Sequence, residues 1–298
     1  MSSVTLNPSS ANKLVLEAYD SGWRTYEIVG TRFFNQRSPE RYDEKFSVTG
    51  ADGSINAVAP GAAFPSTNVE ELGNVTITQQ AYKKEIPVDF LMKRFDNYGV
   101  VIREATKHGY RAKQVMDQVM ANVLLNAEGT STVWDGLSLA NASHLVGNTG
   151  DTQTNIVTGA LSETTLNNAH VALRTQKDHG GQVMPTTGTF LVVPQALAIT
   201  GYKLLKSTEG PETADRETGY LNTLGMQLVP WALLDASNTT DYHVIANKMF
   251  NRLEYLVSVE PTVQYVRDTA TGNGLYQIEF ACAAGAADYL GYVFGNAA

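Results

Sequence analysis

The chain has 298 residues, of which 43% are hydrophobic and 17% charged, so it can form one elaborate domain or two ordinary ones and is not disordered as a whole. Its 22 Lys and Arg residues against 30 Asp and Glu residues give a net charge of −8, which argues against a protein that reads DNA by neutralising phosphates. A single cysteine, Cys282, excludes an internal disulfide framework, and the lack of a secretory signal or a long apolar run predicts a soluble protein, made in the cytoplasm, with no membrane partner.

The first two segments predict extensions from a globular body. Residues 1–40 form a polar and aromatic arm in which only Asn12–Tyr19 has a helical pattern, and we expect such an arm to lie on another surface, for example a neighbouring subunit. Residues 41–89 contain two Val-, Thr- and Ile-rich strands around a segment with few large apolar side chains. They predict a two-stranded ribbon with a loose tip. Because an isolated hairpin is marginal in water, we expect it to lie across a neighbour.

Residues 97–127 carry the strongest helical pattern, since apolar side chains recur there every three or four positions. A second face of this predicted helix is basic, with Arg103, Lys107 and Arg111 spaced by four residues. The charge is local. Residues 93–113 hold six basic side chains and two acidic ones, namely Lys93, Arg94, Arg103, Lys107, Arg111 and Lys113 against Asp96 and Glu104.

Like charges at this spacing repel one another, so the basic stripe needs an explanation. A solvated helix face is one interpretation. The other is that Arg103, Lys107 and Arg111 meet acidic groups from elsewhere, and Glu70 and Glu71 of a neighbouring ribbon are the first candidates. These five residues are the predicted contacts between subunits.

The remaining chain predicts a helix that begins after Ser162, followed by alternating short strands and turns. Residues 189–207 combine a buried strand, Pro194 and an amphipathic helix, and we expect Pro194 to occupy the first helical turn. A polar loop follows at 207–222. The stretches GMQLVP, YHVIANK and EYLVSVE predict core strands, and TVQYVRD with LYQIEFACAA predicts a closing hairpin whose turn is Asn273–Gly274.

No catalytic or ligand-binding arrangement is recognisable in the sequence. It has no G-x-S-x-G, Walker or H-E-x-x-H motif, and its five histidines are not paired at metal-ligand spacing. His144 is the most suggestive, although a hydrogen-bonded loop histidine explains it, and His179 fits a helix C-terminus. We therefore predict no catalytic residue, no cofactor and no metal site. This absence favours a structural role over an enzymatic one.

The order of these parts resembles the major capsid proteins of tailed bacteriophages, which have the HK97-like fold. In the second half, WDGLSLANASH, LRTQKDHGGQVM, TFLVVPQAL with GYKLLKS, and MQLVPWALLD resemble the Mu-like major head subunit group. The resemblance implies an α+β fold with an N-terminal arm (1–40), an extended β-ribbon loop (41–89) and a peripheral domain (90–188) that contains the spine helix 97–127 and the helix that follows it. An axial domain (189–260) and C-terminal strands that return to the peripheral domain (261–298) complete it.

The resemblance also implies a function and partners. Copies of the chain would form hexamers and pentamers, assemble in the host cytoplasm into the icosahedral shell of a virion, and contact packaged double-stranded DNA non-specifically. A portal protein and, in some members, scaffolding or decoration proteins would be further partners. Residues 51–73 contain no lysine, so we expect no covalent Lys–Asn crosslink from the ribbon tip. An encapsulin-like bacterial compartment and an α/β enzyme with an unrecognised site remain alternatives.

Overall fold

Helices and strands alternate irregularly along the chain in the computed structural model, which describes residues 8–51, 57–64, 66, 69–89, 98–207, 220–236, 239–268 and 273–297. The helices are α1 (Pro8–Thr25), α2 (Tyr98–Leu125), α3 (Glu163–Thr175), α4 (Ala198–Lys206) and α5 (Tyr220–Thr223). The first strands are β1 (Asn35–Arg37), β2 (Asp43–Ala51), β3 (Val69–Thr78), β4 (Gln80–Val88), β5 (His144–Leu145), β6 (Thr152–Gln153) and β7 (Ile156–Thr158). They are followed by β8 (Gly188–Val193), β9 (Gln227–Pro230), β10 (Tyr242–Ala246), β11 (Leu253–Arg267), β12 (Gly274–Ala286) and β13 (Tyr292–Asn296).

Two larger sheets organise the described strands. One has the order β1-β11-β12-β4, in which β1 is parallel to β11 and the other pairs are antiparallel. The other has the order β7-β13-β10-β8-β9, with parallel pairs at its two edges. Strands β2 and β3 form a separate antiparallel ribbon, and β5 pairs with β6. The mixed α+β class predicted from the sequence is confirmed. No described helix combines the length and apolarity needed to cross a membrane.

Helix α2 confirms the long helix predicted at 97–127. Its apolar face is buried against α1 and against the β11–β12–β4 side of the first sheet. The buried residues are Val101, Ala105, Ala112, Met116, Met120, Ala121, Val123 and Leu124. Lys93, Arg94 and Asp96, which contributed to the local charge count, lie outside the described residues.

Helix α1, in the N-terminal arm, lies on its own chain. Helix α1 is longer than the predicted Asn12–Tyr19 segment and packs along α2. Gly22 of α1 faces the carbonyl of Thr106, and Gly109 of α2 faces the carbonyl of Tyr19. A Cβ at either position would overlap with that backbone, so these glycines allow the two helices to approach closely. This part of the arm therefore lies on a surface, as expected, and that surface is α2 of its own chain rather than a neighbouring subunit.

The predicted ribbon is shorter than expected. Strands β2 and β3 pair from Asp43–Thr78 at the root to Ala51–Val69 at the outer end. After Thr78 the chain bends at the buried Gln79, and β4 pairs with β12 instead. The assignment of residues 80–88 to the ribbon is therefore wrong. Alternation of Ile86 and Val88 with polar residues gives β4 one apolar face, and that face is buried in the main core.

Helix α3 begins where the sequence predicted. Ser162 Oγ accepts a hydrogen bond from the Thr165 N–H, and the Thr165 hydroxyl oxygen accepts one from the Ser162 N–H, so the two residues form a capping box. One face of α3 carries Leu166, Ala169 and Leu173, all fully buried. Together with residues of α4 they form the second hydrophobic cluster, against the five-stranded sheet.

The stretch at 189–207 forms strand β8, a 3-10 turn at Gln195–Leu197 and then α4. Pro194 has extended backbone (φ −55, ψ 156) and precedes the turn, so the expectation that it lies in the first helical turn is wrong. Asp235 accepts hydrogen bonds from the N–H groups of Gln195 (3.1 Å) and Ala196 (3.3 Å). The donors that bind a phosphate in nucleotide-binding proteins are thus occupied by a carboxylate of the same chain.

The C-terminal strands differ in two details from the prediction. EYLVSVE and TVQYVRD are not separate strands but parts of β11, which runs without interruption past residue 260. Gly274 is the first residue of β12 and pairs with Arg267, so Asn273–Gly274 is not a two-residue turn. Residues 269–272 and most of the predicted 207–222 loop lie outside the described residues. Strand β13 returns to the five-stranded sheet beside β10.

Candidate functional site

A groove of about 440 Å³ lies between helix α2 and strands β4 and β12. Its floor is apolar and includes Ala112, Val115 and Ile278. The rings of Tyr82 and Phe280 stack at its β-sheet side, with centroids 5.1 Å apart and an interplanar angle of 16°. An apolar floor of this size between a helix and a sheet can receive a side chain from another protein.

The rim of this groove is basic. Lys83 and Lys84 on β4 face Lys107 and Arg111 on α2, and Glu104 is the one carboxylate among the described residues of the lining. The position of Lys83 and Lys84 in the sheet explains their exposure. They lie in the middle of an edge strand, where charged side chains oppose uncontrolled pairing with further strands.

Two of the three predicted stripe residues therefore line the groove, and each has a partner on its own helix. Lys107 Nζ lies 2.7 Å from Glu104 Oε1, and Arg111 Nη1 donates to Gln114 Oε1 at 2.6 Å. The hydrogen bond from Lys107 and the charge of its ammonium lower the pKa of Glu104. Arg103 is exposed on α2 but does not line the groove. The Lys107–Glu104 ion pair relieves part of the repulsion expected from the spacing, whereas Gln114 is neutral and leaves the charge of Arg111 uncompensated, so the rim keeps an excess of positive charge.

Glu70 and Glu71 lie at the outer part of strand β3 and are exposed. Glu70 Oε2 accepts from Asn148 Nδ2 at 2.8 Å, and Glu71 Oε1 accepts from Ser47 Oγ at 2.8 Å. Among the described residues, neither glutamate forms an ion pair with the basic stripe. The structure of one chain does not bring the predicted contact residues together, so a contact between them has to involve two copies.

A buried carboxylate that the sequence did not reveal joins three parts of the chain. Asp117 on α2 is fully buried. Its Oδ1 accepts from the N–H groups of Val29 and Gly30, both at 3.0 Å, and its Oδ2 accepts from Tyr26 Oη at 2.8 Å and Trp231 Nε1 at 3.0 Å. Four donors satisfy the buried charge, and they connect the segment after α1, helix α2 and the end of β9. A lone aspartate in an amphipathic pattern gives no signal of such a role.

Two histidines form buried pairs with aspartates around Tyr289. His144 Nδ1 lies 2.8 Å from Asp135 Oδ2, and the His144 ring stacks on that of Tyr289 at 4.0 Å. His179 Nε2 lies 2.7 Å from Asp288 Oδ2. His144 is thus a hydrogen-bonded loop histidine, as the simpler interpretation held. The assignment of His179 to a helix end is wrong, because α3 ends at Thr175.

These pairs have a structural explanation. Burial raises the pKa of Asp135, but hydrogen bonds from His144 and from the N–H groups of Leu137 and Leu145 outweigh burial, so the pKa is lowered overall. Burial also raises the pKa of the Cys282 thiol to about 12, which suppresses the reactive thiolate. Within the described part of the chain, no group of three or more His, Cys, Asp or Glu side chains could hold a metal ion.

The sequence matches a known protein family, and the fold is similar to that of solved structures. The model of a family described as phage capsid protein matches residues 73–293. The fold is similar to that of a virus-like particle from Pyrococcus furiosus, with a TM-score of 0.55, 12% sequence identity, and coverage of 95% of this chain and 98% of that chain. A search of curated protein sequences finds no match.

Solved phage capsids share the fold as well. The mature capsid of bacteriophage PhiM1 matches with a TM-score of 0.55 and 16% identity over 91% of this chain and 87% of that chain. The capsid of Ralstonia phage GP4 matches with a TM-score of 0.55 and 8% identity over 88% of this chain and 86% of that chain. At these identities the similarity is one of fold.

Proposed function

We propose, from the premise that this chain belongs to the phage capsid protein family and is a tailed-phage major capsid protein with an HK97-like fold, that its copies assemble as hexamers and pentamers into an icosahedral shell around packaged double-stranded DNA. The match of the family model to residues 73–293 is the observation that carries this proposal. A capsid subunit is a structural protein and a component of the virion. Its net charge of −8 suits a container, since a strongly cationic wall would retain the DNA.

The domain division follows from the two sheets. We assign the four-stranded sheet and α2 to the peripheral domain, and the five-stranded sheet with α3 and α4 to the axial domain. Two predicted boundaries cut through these units, because β11 runs past residue 260 and β13 belongs to the five-stranded sheet. Assembly in the host cytoplasm and contacts with portal, scaffolding or decoration proteins stay predictions from the resemblance.

Contacts between subunits are proposed at the ribbon and the basic groove. Val69 and Glu70 at the outer end of the ribbon are exposed, and Phe64 near its tip is 98% exposed. Lys107 and Arg111, together with Arg103 on the same helix, supply the positive charge that Glu70 and Glu71 of a neighbour would meet. Each glutamate uses one of its carboxylate oxygens within its own chain, which leaves the other free to accept from a neighbour.

A charge reversal on the ribbon tests this contact. Glu70→Lys with Glu71→Lys should reduce the yield of closed shells, most strongly at low NaCl concentration, because like charges then face each other and added salt screens their repulsion. Glu40→Lys with Glu260→Lys changes the net charge equally at other exposed positions and serves as the control. Adding Lys107→Glu and Arg111→Glu to the ribbon variant should restore assembly. Unchanged yield and salt tolerance in the ribbon variant would contradict the contact.

Electron microscopy of the purified protein tests the function itself. A capsid protein should appear as megadalton shells or as their capsomers, whereas an α/β enzyme would elute from a sizing column as a small oligomer without either. Oligomers smaller than a pentamer, found at every protein and salt concentration, would overturn the proposal.

A second candidate function is the shell of an encapsulin-like compartment, favoured by the similarity to the virus-like particle, which extends over 98% of that chain. The content of particles purified from the cell that normally makes them separates the two candidates. Nuclease-protected DNA of defined length supports a phage head, and a stoichiometric cargo protein without DNA supports a compartment.

A further inference from the structure

Helix α4 exposes an apolar face that nothing in the described chain covers. Ile199 and Tyr202 lie one turn apart and are 71% and 62% exposed, while Gly201, Leu204 and Leu205 on the opposite face are buried against the five-stranded sheet. Helix α5 contacts α4 and adds Tyr220, which is 53% exposed. Large apolar side chains that cluster on one helix face in this way indicate an interaction surface.

Positive charge borders this face. Tyr202, Lys203, Lys206 and Ser207 line a depression of about 340 Å³ at the C-terminal end of α4. Within the described residues, no carboxylate forms an ion pair with Lys203 or Lys206. The depression therefore offers two ammonium groups and one aromatic ring to a ligand with negative charge.

The chain itself contains a segment with the complementary chemistry. Residues 208–219, with the sequence TEGPETADRETG, lie outside the described residues and directly follow the depression in the chain. This segment has the acidic residues Glu209, Glu212, Asp215 and Glu217 against the single basic residue Arg216, a net charge of −3. Pro211 and Ala214 are the side chains in it that could pack on an aromatic ring.

The ends of this segment limit where it can reach. Ser207 and Tyr220 flank it, and the helices that carry them, α4 and α5, are in contact. Twelve residues that leave and return at one place extend at most about 20 Å, at roughly 3.3 Å per residue for six residues in each direction. That distance is sufficient to cross to an adjoining copy.

We propose that the face formed by Ile199, Tyr202, Lys203 and Lys206 binds the 208–219 segment of a second copy of this chain. The proposal rests on the proposed shell function and names one of its contacts. Face and segment are different surfaces, so each copy gives its segment to one neighbour and its face to another. Such a heterologous contact closes into a ring when the rotation between copies permits it.

Charge-swap variants test this contact. The face variant carries Lys203→Glu and Lys206→Glu, and the segment variant carries Glu212→Lys and Asp215→Lys. Each alone should lose rings and shells at least tenfold, measured by native mass spectrometry and negative-stain microscopy, because like charges meet at every contact. Arg174→Glu with Arg267→Glu, at exposed positions of α3 and β11, reverses the same number of charges and should assemble normally.

Combining the variants distinguishes a second copy from the same chain. If the contact joins two copies, an equal mixture of face and segment variants should form even-numbered rings by alternation, and hexamers should return. Pentamers should not, because five copies cannot alternate without one repulsive contact. A single chain with all four substitutions should restore both. If the segment binds α4 of its own chain, the mixture should restore no rings, which would overturn the proposal.

Removing the apolar part of the face gives an independent measurement. Ile199→Ser with Tyr202→Ser should leave the subunit folded, since both side chains are exposed, and should reduce ring formation at least tenfold. Circular dichroism checks the fold. If the wild-type chain forms no shells, the proposed function fails. If it forms shells and both face variants assemble normally, only this contact fails.

Discussion

Helix α1 and the β2–β3 ribbon belong to the two segments that were predicted to extend from a globular body, and the structure places them differently. The arm was expected to lie on another surface, for example a neighbouring subunit, and the ribbon to lie across a neighbour. Helix α1 instead packs on α2 of its own chain, where Gly22 and Gly109 bring the two backbones together. The ribbon is anchored by Phe46 and Ile77 in a small cluster with Leu256 and by Val48 in the main core, whereas Val69 and Glu70 at its outer end are exposed.

The difference teaches that a polar composition does not reveal whether the partner surface belongs to the same chain. Helix α1 is followed directly by Tyr26, Val29 and Gly30, which donate hydrogen bonds to the buried Asp117. At the outer end of the ribbon, the connection to the body within the described residues is an exposed hydrogen bond from Asn148 to Glu70, with no buried charge comparable to Asp117. We therefore expect substitutions near α1 to affect folding of the subunit and changes in the ribbon to affect assembly.

The largest effect should follow from shortening the ribbon. Ala51 and Val69 are paired, so replacing residues 52–68 by Asn-Gly closes the hairpin without changing its register. We expect the free energy of unfolding of the subunit to change by less than about 1 kcal/mol, because the root contacts remain, and closed shells to be lost more than tenfold. Urea denaturation and electron microscopy measure the two quantities. Normal shells from this variant would break the comparison.

Removing the buried carboxylate should have the largest effect on subunit stability. Asp117→Ala leaves four buried donors without an acceptor and should lower the free energy of unfolding by about 3–5 kcal/mol. Asp117→Asn keeps one acceptor oxygen and should have a smaller effect. Gln118→Ala, at the next position of α2, is the control, with an expected loss below about 1 kcal/mol. Urea denaturation monitored by tryptophan fluorescence provides the values, and equal effects of the Ala variants at 117 and 118 would contradict the role of Asp117.

The contact between α1 and α2 can be tested with two glycines of the same helix. Gly109→Ala places a methyl group against the Tyr19 carbonyl and should cost about 2–4 kcal/mol of unfolding free energy. Gly99→Ala meets no atom within 4 Å and should stabilise the helix by up to about 1 kcal/mol. Thermal and urea denaturation of both variants are compared with the wild type. A stabilising Gly109→Ala would show that α1 does not pack as described.

The smallest effect concerns Tyr19 on α1, whose buried hydroxyl has no hydrogen-bond partner among the described residues. Burial raises the pKa of Tyr19 to about 12, against about 10 in the unfolded chain. Between pH 10 and 12 the hydroxyl therefore ionises more readily in the unfolded chain than in the folded one, which lowers the free energy of unfolding. The loss relative to pH 8 is about 1.4 kcal/mol at pH 11. Tyr19→Phe should equal or exceed the wild type in stability at pH 8 and lose less stability between pH 10 and 11.

The exposed Tyr42→Phe, at the root of the ribbon, serves as the control for Tyr19→Phe and should follow the wild-type pH profile. Denaturation curves at pH 8, 10 and 11 supply the measurement. Parallel loss of stability in the Tyr19 variant and the wild type would mean that the α1–α2 contact does not exclude water from this hydroxyl.

Local patterns predicted much of the fold because their physical basis is local. The apolar spacing around Val101–Leu124 predicted α2, and Ser162 with Thr165 predicted the start of α3. Short apolar-rich runs bounded by turn residues predicted β8, β9 and β10. The predicted stripe of Arg103, Lys107 and Arg111 does lie on one face of α2, although its contact with Glu70 and Glu71 stays a prediction.

The sequence by itself determined where α2 lies and where α3 begins, which of their faces are apolar, and that the chain resembles a capsid subunit. Only the tertiary structure decided which surfaces meet. It placed α1 on α2, moved β4 from the ribbon to β12, and gave Asp117 and Asp235 their hydrogen-bond donors. The physical reason is that periodicity and capping act over a few neighbouring residues, whereas these contacts join residues that are tens to hundreds of positions apart and depend on the shape of the packed chain.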